Sequence, residues 1–383
     1  MEAEEGAVAA AVDRVGIGWR PRLATGILSN LDQIDIIEVI ADDYFDAPKA
    51  KLDSLRVLAS QTPIALHGIA LGMASTIPVD NERLGKFARL FEALRPESWS
   101  EHLAFVRAGD VEIGHLASPP RNSQSVEGTL RNLSTATSTM GVKPMVENVA
   151  TLVDPPCSSM TESAWLSTVA EQSTCPLLLD LHNVHTNAVN LGYNAADMVE
   201  SLPLDLVGSI HIAGGRWLKG RILDDHLHDV TDPVYELLRF VASRAPQPLT
   251  VILERDGAYP SMETLLDQLR RARVAIALGR EEAVARRSEK VAKVLDRGAQ
   301  VLSTPELEKV LAQLYIDAEF RARFLTLPGP VFAEAGMTDN QCEALTAIDL
   351  HGLLLAADSF SFKRKKQMPL PPKPFWKRFW PMV

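Results

Sequence analysis

The sequence predicts an α/β protein: a (β/α)8 TIM barrel over residues 14–276, followed by a small all-α domain. Three observations carry this reading. Eight short apolar runs alternate with longer amphipathic stretches over about 260 residues, the alternation that builds a barrel of parallel strands. Seven of the eight runs end at or near a Glu, Asp or His, and barrel enzymes assemble their active sites at that end of the strands. Beyond residue 303 the apolar residues recur at helical spacing.

The eight runs are Val15–Trp19, Ile34–Ile40, Pro63–His67, Trp99–Phe105, Pro144–Val149, Pro176–His182, Val207–Ala213 and Leu249–Glu254. The run from Pro176 begins as an unbroken apolar stretch, as a parallel strand buried on both faces does. Segments of 3.6-residue period lie between the runs, such as Asn81–Leu94, with Leu84, Phe87, Ala88 and Phe91 on one face, and Thr161–Glu171. The polar ends are Glu38, His67, His102, Glu147, Asp180, His211 and Glu254. One such group caps a strand or meets solvent; seven together point to a common site.

Composition bounds what the site serves. A length of 383 residues suits one large and one smaller domain, and 46% hydrophobic with 23% charged residues marks a soluble globular chain. Residues 1–13 are acidic and Ala-rich, read as disordered, and lack the basic flank and apolar core of a signal peptide. No run is long enough to span a bilayer, so a cytoplasmic location is expected. Cys157, Cys175 and Cys342 are odd in number and irregularly spaced, which argues against a disulfide framework or a structural zinc site. Of the net charge of −10, residues 363–383 supply seven Lys or Arg and no acid, so the preceding residues sum to −17. A body this acidic argues against nucleic acid as a substrate.

After the seventh run comes Asp224-Asp225-His226, then His228 and Asp229. With His182, His185 and His211 this is a ligand set of imidazoles and carboxylates without thiolate, suited to Fe, Mn or Zn. It exceeds what one ion uses, so two or three are expected. Iron with open positions would activate O2, whereas paired Mg, Mn or Zn would hydrolyse or isomerise, and spacing does not choose between them.

The segments Gly16-Ile-Gly-Trp-Arg-Pro21, Leu66-His-Gly-Ile-Ala-Leu71, Ser100-Glu-His-Leu-Ala104, Val146-Glu-Asn148, Leu179-Asp-Leu-His-Asn183, Ile210-His-Ile-Ala-Gly214, Asp224-Asp-His226 and Leu253-Glu-Arg-Asp256 occur in this order. Together they resemble the multinuclear non-heme iron-dependent oxidative enzymes, a family that includes the methanobactin-biosynthesis oxidase and was long of unknown function. The resemblance implies two or three iron ions, a mixed-valence Fe(II)/Fe(III) pair that activates O2, and oxidative modification of a residue in a ribosomally made precursor peptide. It implies His67, His102, Glu147, Asp180, His211, Asp224, His226 and Glu254 as iron ligands, with Asn183 as a ligand or a group bonded to one. This chain has His182 where the family commonly has Asn, and Asp42-Asp43-Tyr44-Phe45 where Glu-Asn-Tyr-Phe is usual. His182 and His228 therefore stand as further metal ligands or as partners of ligands. Glu38 and His185 are candidates to move a proton. Arg20, Arg216, Lys219 and Arg255 lie near the predicted rim, either anchoring a substrate carboxylate or balancing the acids, and Arg255 is included among the catalytic candidates.

After the barrel, residues 277–302 read as a helical linker and 303–362 as the small helical domain. Ser303-Thr304-Pro305-Glu306 has a hydroxyl cap, proline in the first turn and an acid after it. Members of the resembling family act with a separate protein that holds the peptide, so this domain is expected to present substrate in cis, or else to serve as a structural appendage. The tail 363–383 is basic, Pro-rich and aromatic, and is expected to be extended. Two other classes of function stay open on the residues alone: a divalent-metal isomerase or endonuclease, and a metal or peptide carrier without turnover.

Overall fold

A computed structural model describes residues 12–299 and 304–367. The N-terminal stretch up to residue 11 and the tail from residue 368 lie outside the described residues. The chain divides into two compact units between Ala283 and Val284.

In the first unit the strands are β1 (Arg14–Gly18), β2 (Ile37–Ile40), β3 (Ile64–Gly68), β4 (Ser98–His102), β5 (Phe105–Ala108) and β6 (Val111–Ala117). Then follow β7 (Met145–Glu147), β8 (Leu177–Asp180), β9 (Val207–Ile212), β10 (Arg216–Leu218), β11 (Arg221–Leu223) and β12 (Thr250–Leu253). Eight of them close a parallel barrel in the order β1-β12-β9-β8-β7-β4-β3-β2. Every apolar run thus supplies one barrel strand. The run Trp99–Phe105 is divided, because the barrel strand ends at His102 and Phe105 opens the hairpin β5–β6. A second hairpin, β10–β11, follows β9.

The period of two along each strand sorts the side chains. Val15, Ile17, Ile37, Val39, Leu66, Trp99, Val146, Leu177, Leu179, Ile210, Val251 and Leu253 belong to the main apolar core with residues of the surrounding helices. Their alternate neighbours fill the lumen. Its lower layer is the small apolar cluster Ile36, Ala65 and Ile252. Above it lie Glu38, His67, Ser100, Glu147, Asp180 and His211, all nearly inaccessible. Branched apolar residues ordinarily fill such a layer. Here it holds titratable groups.

The helices follow from local signals. Asp80 accepts from the Glu82 and Arg83 backbone N–H groups and starts the helix Asn81–Leu94, which buries Leu84, Phe87, Leu90 and Leu94. Asn122 and Ser125 form a capping box on Ser123–Met140, and Gly141 ends that helix in the left-handed conformation. Asp13, expected within a disordered terminus, is instead fixed. Its carboxylate accepts from the Arg280 guanidinium and the Leu249 N–H, closing the floor of the barrel.

The second unit is all-helical. Its helices Pro305–Ile316, Ala318–Thr326, Pro328–Ala335 and Asp339–Thr346 precede Leu350–Gln367. Its own core comprises Val310, Leu314, Phe320, Phe324, Val331, Leu345 and Leu353. The last helix runs through residues 363–367, so the extended segment expected from 363 does not begin there; the first proline is Pro369, and nothing before it interrupts the helix. Among the described residues no helix is long and apolar enough to cross a membrane.

Candidate metal centre

Barrel closure brings the strand-end groups to one point at the C-terminal mouth. Glu147 stands at the middle. Its Oε2 is 3.4 Å from both His67 Nε2 and His102 Nε2, and its Oε1 is 3.3 Å from His211 Nδ1. His211 Nδ1 also lies 3.2 Å from Glu254 Oε2, while its Nε2 meets Glu38 Oε2 at 3.0 Å. Three sets of donor atoms lie close enough together for an ion: His67, His211 and Glu254; His67, His102 and Glu147; and Glu147, Asp180, His211 and Glu254. Further out, His226 Nε2 is 2.7 Å from Asp224 Oδ1, and His182 Nε2 is 3.6 Å from the same oxygen.

Neighbouring groups aim these donors. Ser100 Oγ sits 2.8 Å from His67 Nδ1, and the Gly68 carbonyl accepts from His102 Nδ1 at 3.0 Å, leaving both Nε2 atoms directed at Glu147. Asn148 exchanges hydrogen bonds with the Asp180 backbone. The read-through of the run to His182 is corrected here: the strand stops at Asp180, whose carboxylate caps the helix Leu181–Leu191. His182, Asn183 and His185 therefore stand on a helix. Asn183 Nδ2 donates to the Asn148 carbonyl, which turns its Oδ1 away from that bond.

The unsatisfied atoms test whether metal fits. Buried without any hydrogen-bond partner are Glu38 Oε1, Glu147 Oε2, Asp180 Oδ2, His182 Nδ1, Asn183 Oδ1, His211 Nδ1, Asp224 Oδ1, Asp225 Oδ2 and His226 Nε2. A buried polar atom left alone costs about 1–3 kcal/mol, and more when charged, and a bound cation would satisfy several of these at once, Glu147 Oε2, Asp180 Oδ2 and His211 Nδ1 first. His226 Nε2 and Asp224 Oδ1 lie 2.7 Å apart, close enough to form an ion pair in the metal-free chain or to meet one cation together. The donors are nitrogen and oxygen, as expected for Fe, Mn or Zn.

Protons do part of this work when cations do not. Burial and the Glu147 and Asp224 carboxylates push the Asp180 carboxyl well above its usual range. Burial lowers His211, but Glu254, Glu38 and Glu147 outweigh it and hold the ring well above an ordinary histidine. His226 is raised in the same way by Glu254 and Asp224 against burial. His102 is pushed up to about 9, Glu147 and Glu101 overcoming burial. Burial, His102 and His211 keep His67 well below its usual value, and burial takes His182 down to about 4.

Above the ligands opens a cavity of about 1020 Å³. Its floor is His67, His102, Asp224, His226 and Glu254, and its apolar walls include Phe105, Leu116, Val149, Leu152, Ile222 and Leu223. The walls come from the two hairpins and the loop after β7. A chamber of this size accepts several residues of an extended chain.

Three of the four cationic residues lie against acids, one of the two roles expected of them. Arg255 is buried, and its guanidinium donates to the Gly257 and Ala258 carbonyls and to Asp229; with its nitrogens committed to the loop, it braces the rim. Arg20 holds Asp256, and Arg216 lies 3.3 Å from Asp225. Lys219 is exposed in the tight turn of β10–β11. His228 is half-exposed and meets Asp225 at 3.0 Å, and His185 is half-buried outside the cavity lining. Sequence reasoning gave no role to Asp256, whose Oδ2 is 3.2 Å from His226 Nδ1. Its place in Leu253-Glu-Arg-Asp256, two residues past a strand-end ligand, was the available signal.

A family model described as "RiPP precursor modification enzyme MbnB/TglH/ChrH" matches residues 14–277, the whole barrel. The chain belongs to the MbnB/TglH/ChrH family. A UPF0276 protein of Chromobacterium violaceum is 30% identical over 268 residues, covering 70% of this chain and 96% of its own. One from Streptomyces avermitilis is 36% identical over 253 residues, which cover 64% of this chain but only 51% of that protein. This chain thus spans about half the length of that relative. Among solved structures, an L-ribulose 3-epimerase aligns over 73% of this chain and 98% of its own, at 16% identity and a TM-score of 0.46. The MbnB/TglH/ChrH match covers the barrel whose polar mouth is the candidate metal centre.

Proposed function

We propose that this chain uses two or three iron ions and O2 to modify oxidatively a residue of a ribosomally synthesised precursor peptide. The observation that supports this most is the convergence of His67, His102, Glu147, Asp180, His211 and Glu254, with Glu147, Asp180 and His211 each keeping a buried atom without a hydrogen-bond partner, beneath a peptide-sized cavity in a barrel of this family. His67, His102 and Glu147 would hold one ion, and Asp180, His211 and Glu254, with Glu147 shared, another. Asp224 and His226, with His182 and Asn183 beside them, would hold a third. When bound, iron supplies the electrons and open coordination positions that reduce O2 and remove hydrogen from the substrate. Glu38 steadies His211 through Nε2 and keeps Nδ1 on the metal side. The apolar walls exclude water around the reacting residue.

Protein isolated without added metal is expected to contain two or more irons per chain, with a mixed-valence coupled EPR or Mössbauer signal that changes on brief exposure to O2. Zinc or manganese persisting after iron supplementation, with no O2 consumed, would instead indicate an isomerase- or endonuclease-like enzyme.

We propose further that the helical unit presents the peptide. Leu350, Leu354 and Leu355 on its last helix are exposed, apolar side chains that could meet a bound segment. Deleting residues 300–383 is expected to weaken binding of the precursor peptide while leaving the iron signal unchanged; unchanged peptide affinity would sink this role.

A further inference from the structure

Beside the predicted ligands lies a chain of polar contacts that joins the first strand to the last. Arg20, just after β1, is buried. Its Nη1 donates to the Trp19 carbonyl at 2.9 Å, and its Nε and Nη2 both donate to Asp256 Oδ1, with Nε at 3.0 Å. A Cβ on Gly18 would sit 3.0 Å from Nη1, so the glycine makes room for the guanidinium. Asp256 turns its other oxygen to His226, with Oδ2 3.2 Å from Nδ1. Its backbone N–H donates to the His226 carbonyl at 3.0 Å, so side chain and main chain grip the same residue. His226 needs that grip. It sits on a loop between β11 and the next helix, in the left-handed region at φ 52°, which few non-glycine residues adopt.

We propose that Arg20 and Asp256 are a positioning pair that fixes the His226 ring and so builds the outer metal position; this rests on the reading of the mouth as a metal centre. An imidazole bound to metal through one nitrogen is commonly oriented by a carboxylate on the other. Here the carboxylate is itself held by a guanidinium, which fixes both the direction of Oδ2 and its negative charge. The result is that Nε2 stands beside Asp224 Oδ1, both without another partner. Strand ends fix the backbone of the inner ligands, whose rings are aimed by Ser100, the Gly68 carbonyl and Glu38. The loop carries the outer ones, and there the pair aims His226.

The test uses the full chain and ferrous iron under anaerobic conditions, with iron titrated calorimetrically and the loaded samples compared by Mössbauer spectroscopy. Asp256→Asn and Arg20→Gln are each expected to weaken one class of iron site by about 10–100-fold and leave the remaining sites and their spectrum as in the unchanged chain. The double variant is expected to lose no more than Asp256→Asn alone, since Arg20 acts through Asp256. Conservative Arg20→Lys, which keeps the charge but not the two-pronged contact, is expected to restore part of the affinity. Thermal unfolding of the metal-free variants identifies any that fail to fold. If folded variants bind every equivalent as the unchanged chain does, or lose all sites alike, the pair has no such role. Loss with Asp256→Asn but not with Arg20→Gln would make Asp256 a ligand in its own right and also overturn the proposal. An unchanged chain that takes up no iron would overturn the metal-centre reading itself.

Discussion

Glu147→Gln is expected to remove about two ions per chain from the centre while leaving the barrel folded. Glu147 belongs to two of the three donor groups, and its two oxygens face three different histidines at 3.3–3.4 Å. An amide keeps the shape but loses the charge and one acceptor, so His67, His102 and His211 lose their shared partner together. In the metal-free chain the Glu147 charge helps hold the buried His102 and His211 rings protonated, so the amide leaves both less compensated. Metal-free Glu147→Gln is therefore expected to fold but to melt below the metal-free unchanged chain, while its iron content collapses. Iron content by mass spectrometry and a melting curve decide the point; a variant with full iron and an unaltered spectrum would remove Glu147 from the centre.

Iron affinity is expected to fall about tenfold for each pH unit between 9 and 7 through His102 alone. Burial opposes a charge on this ring, but Glu147 and Glu101 overcome it and put its metal-free value at about 9. At pH 7 the ring is therefore protonated, and a metal ligand must be neutral, so binding expels a proton. Calorimetry at pH 7 in two buffers of different ionisation enthalpy should report the release of about one proton or more per chain. Binding without proton release would show that His102 is not a ligand. The sign for stability follows from the same shift. A raised His contributes stability that is full below its unfolded value, near 6.5, and is lost as pH rises through about 9. The metal-free chain should thus melt lower at pH 9 than at pH 7, and iron should narrow that difference.

Much of this was legible in the sequence because parallel barrel strands are buried on both faces and leave unbroken apolar runs. The groups that interrupt such runs at their ends, Glu38, His67, Glu147 and Glu254, stood out against them. Asp180 was half-read: it ends a strand and caps a helix at once, and the apolar pattern does not mark where one becomes the other. The hairpins β5–β6 and β10–β11 were missed because they are short and largely exposed, so burial imposes no pattern on them. For Arg20 and Arg255 two readings, an anchor for a substrate carboxylate or a balance for the acids, stay open on sequence for a different reason. Their carboxylate partners, Asp256 and Asp229, are 236 and 26 positions away, and nothing in a linear spacing distinguishes a committed guanidinium from an available one.

The centre draws on residues from Glu38 to Glu254, whereas the barrel closes only when Arg14–Ile17 pair with Thr250–Leu253. One donor set, His67, His102 and Glu147, stands on the neighbouring strands β3, β4 and β7, whereas the other two both need Glu254, which arrives only with β12. A chain truncated before β12 therefore keeps the donors of one ion and lacks a member of each of the remaining sets.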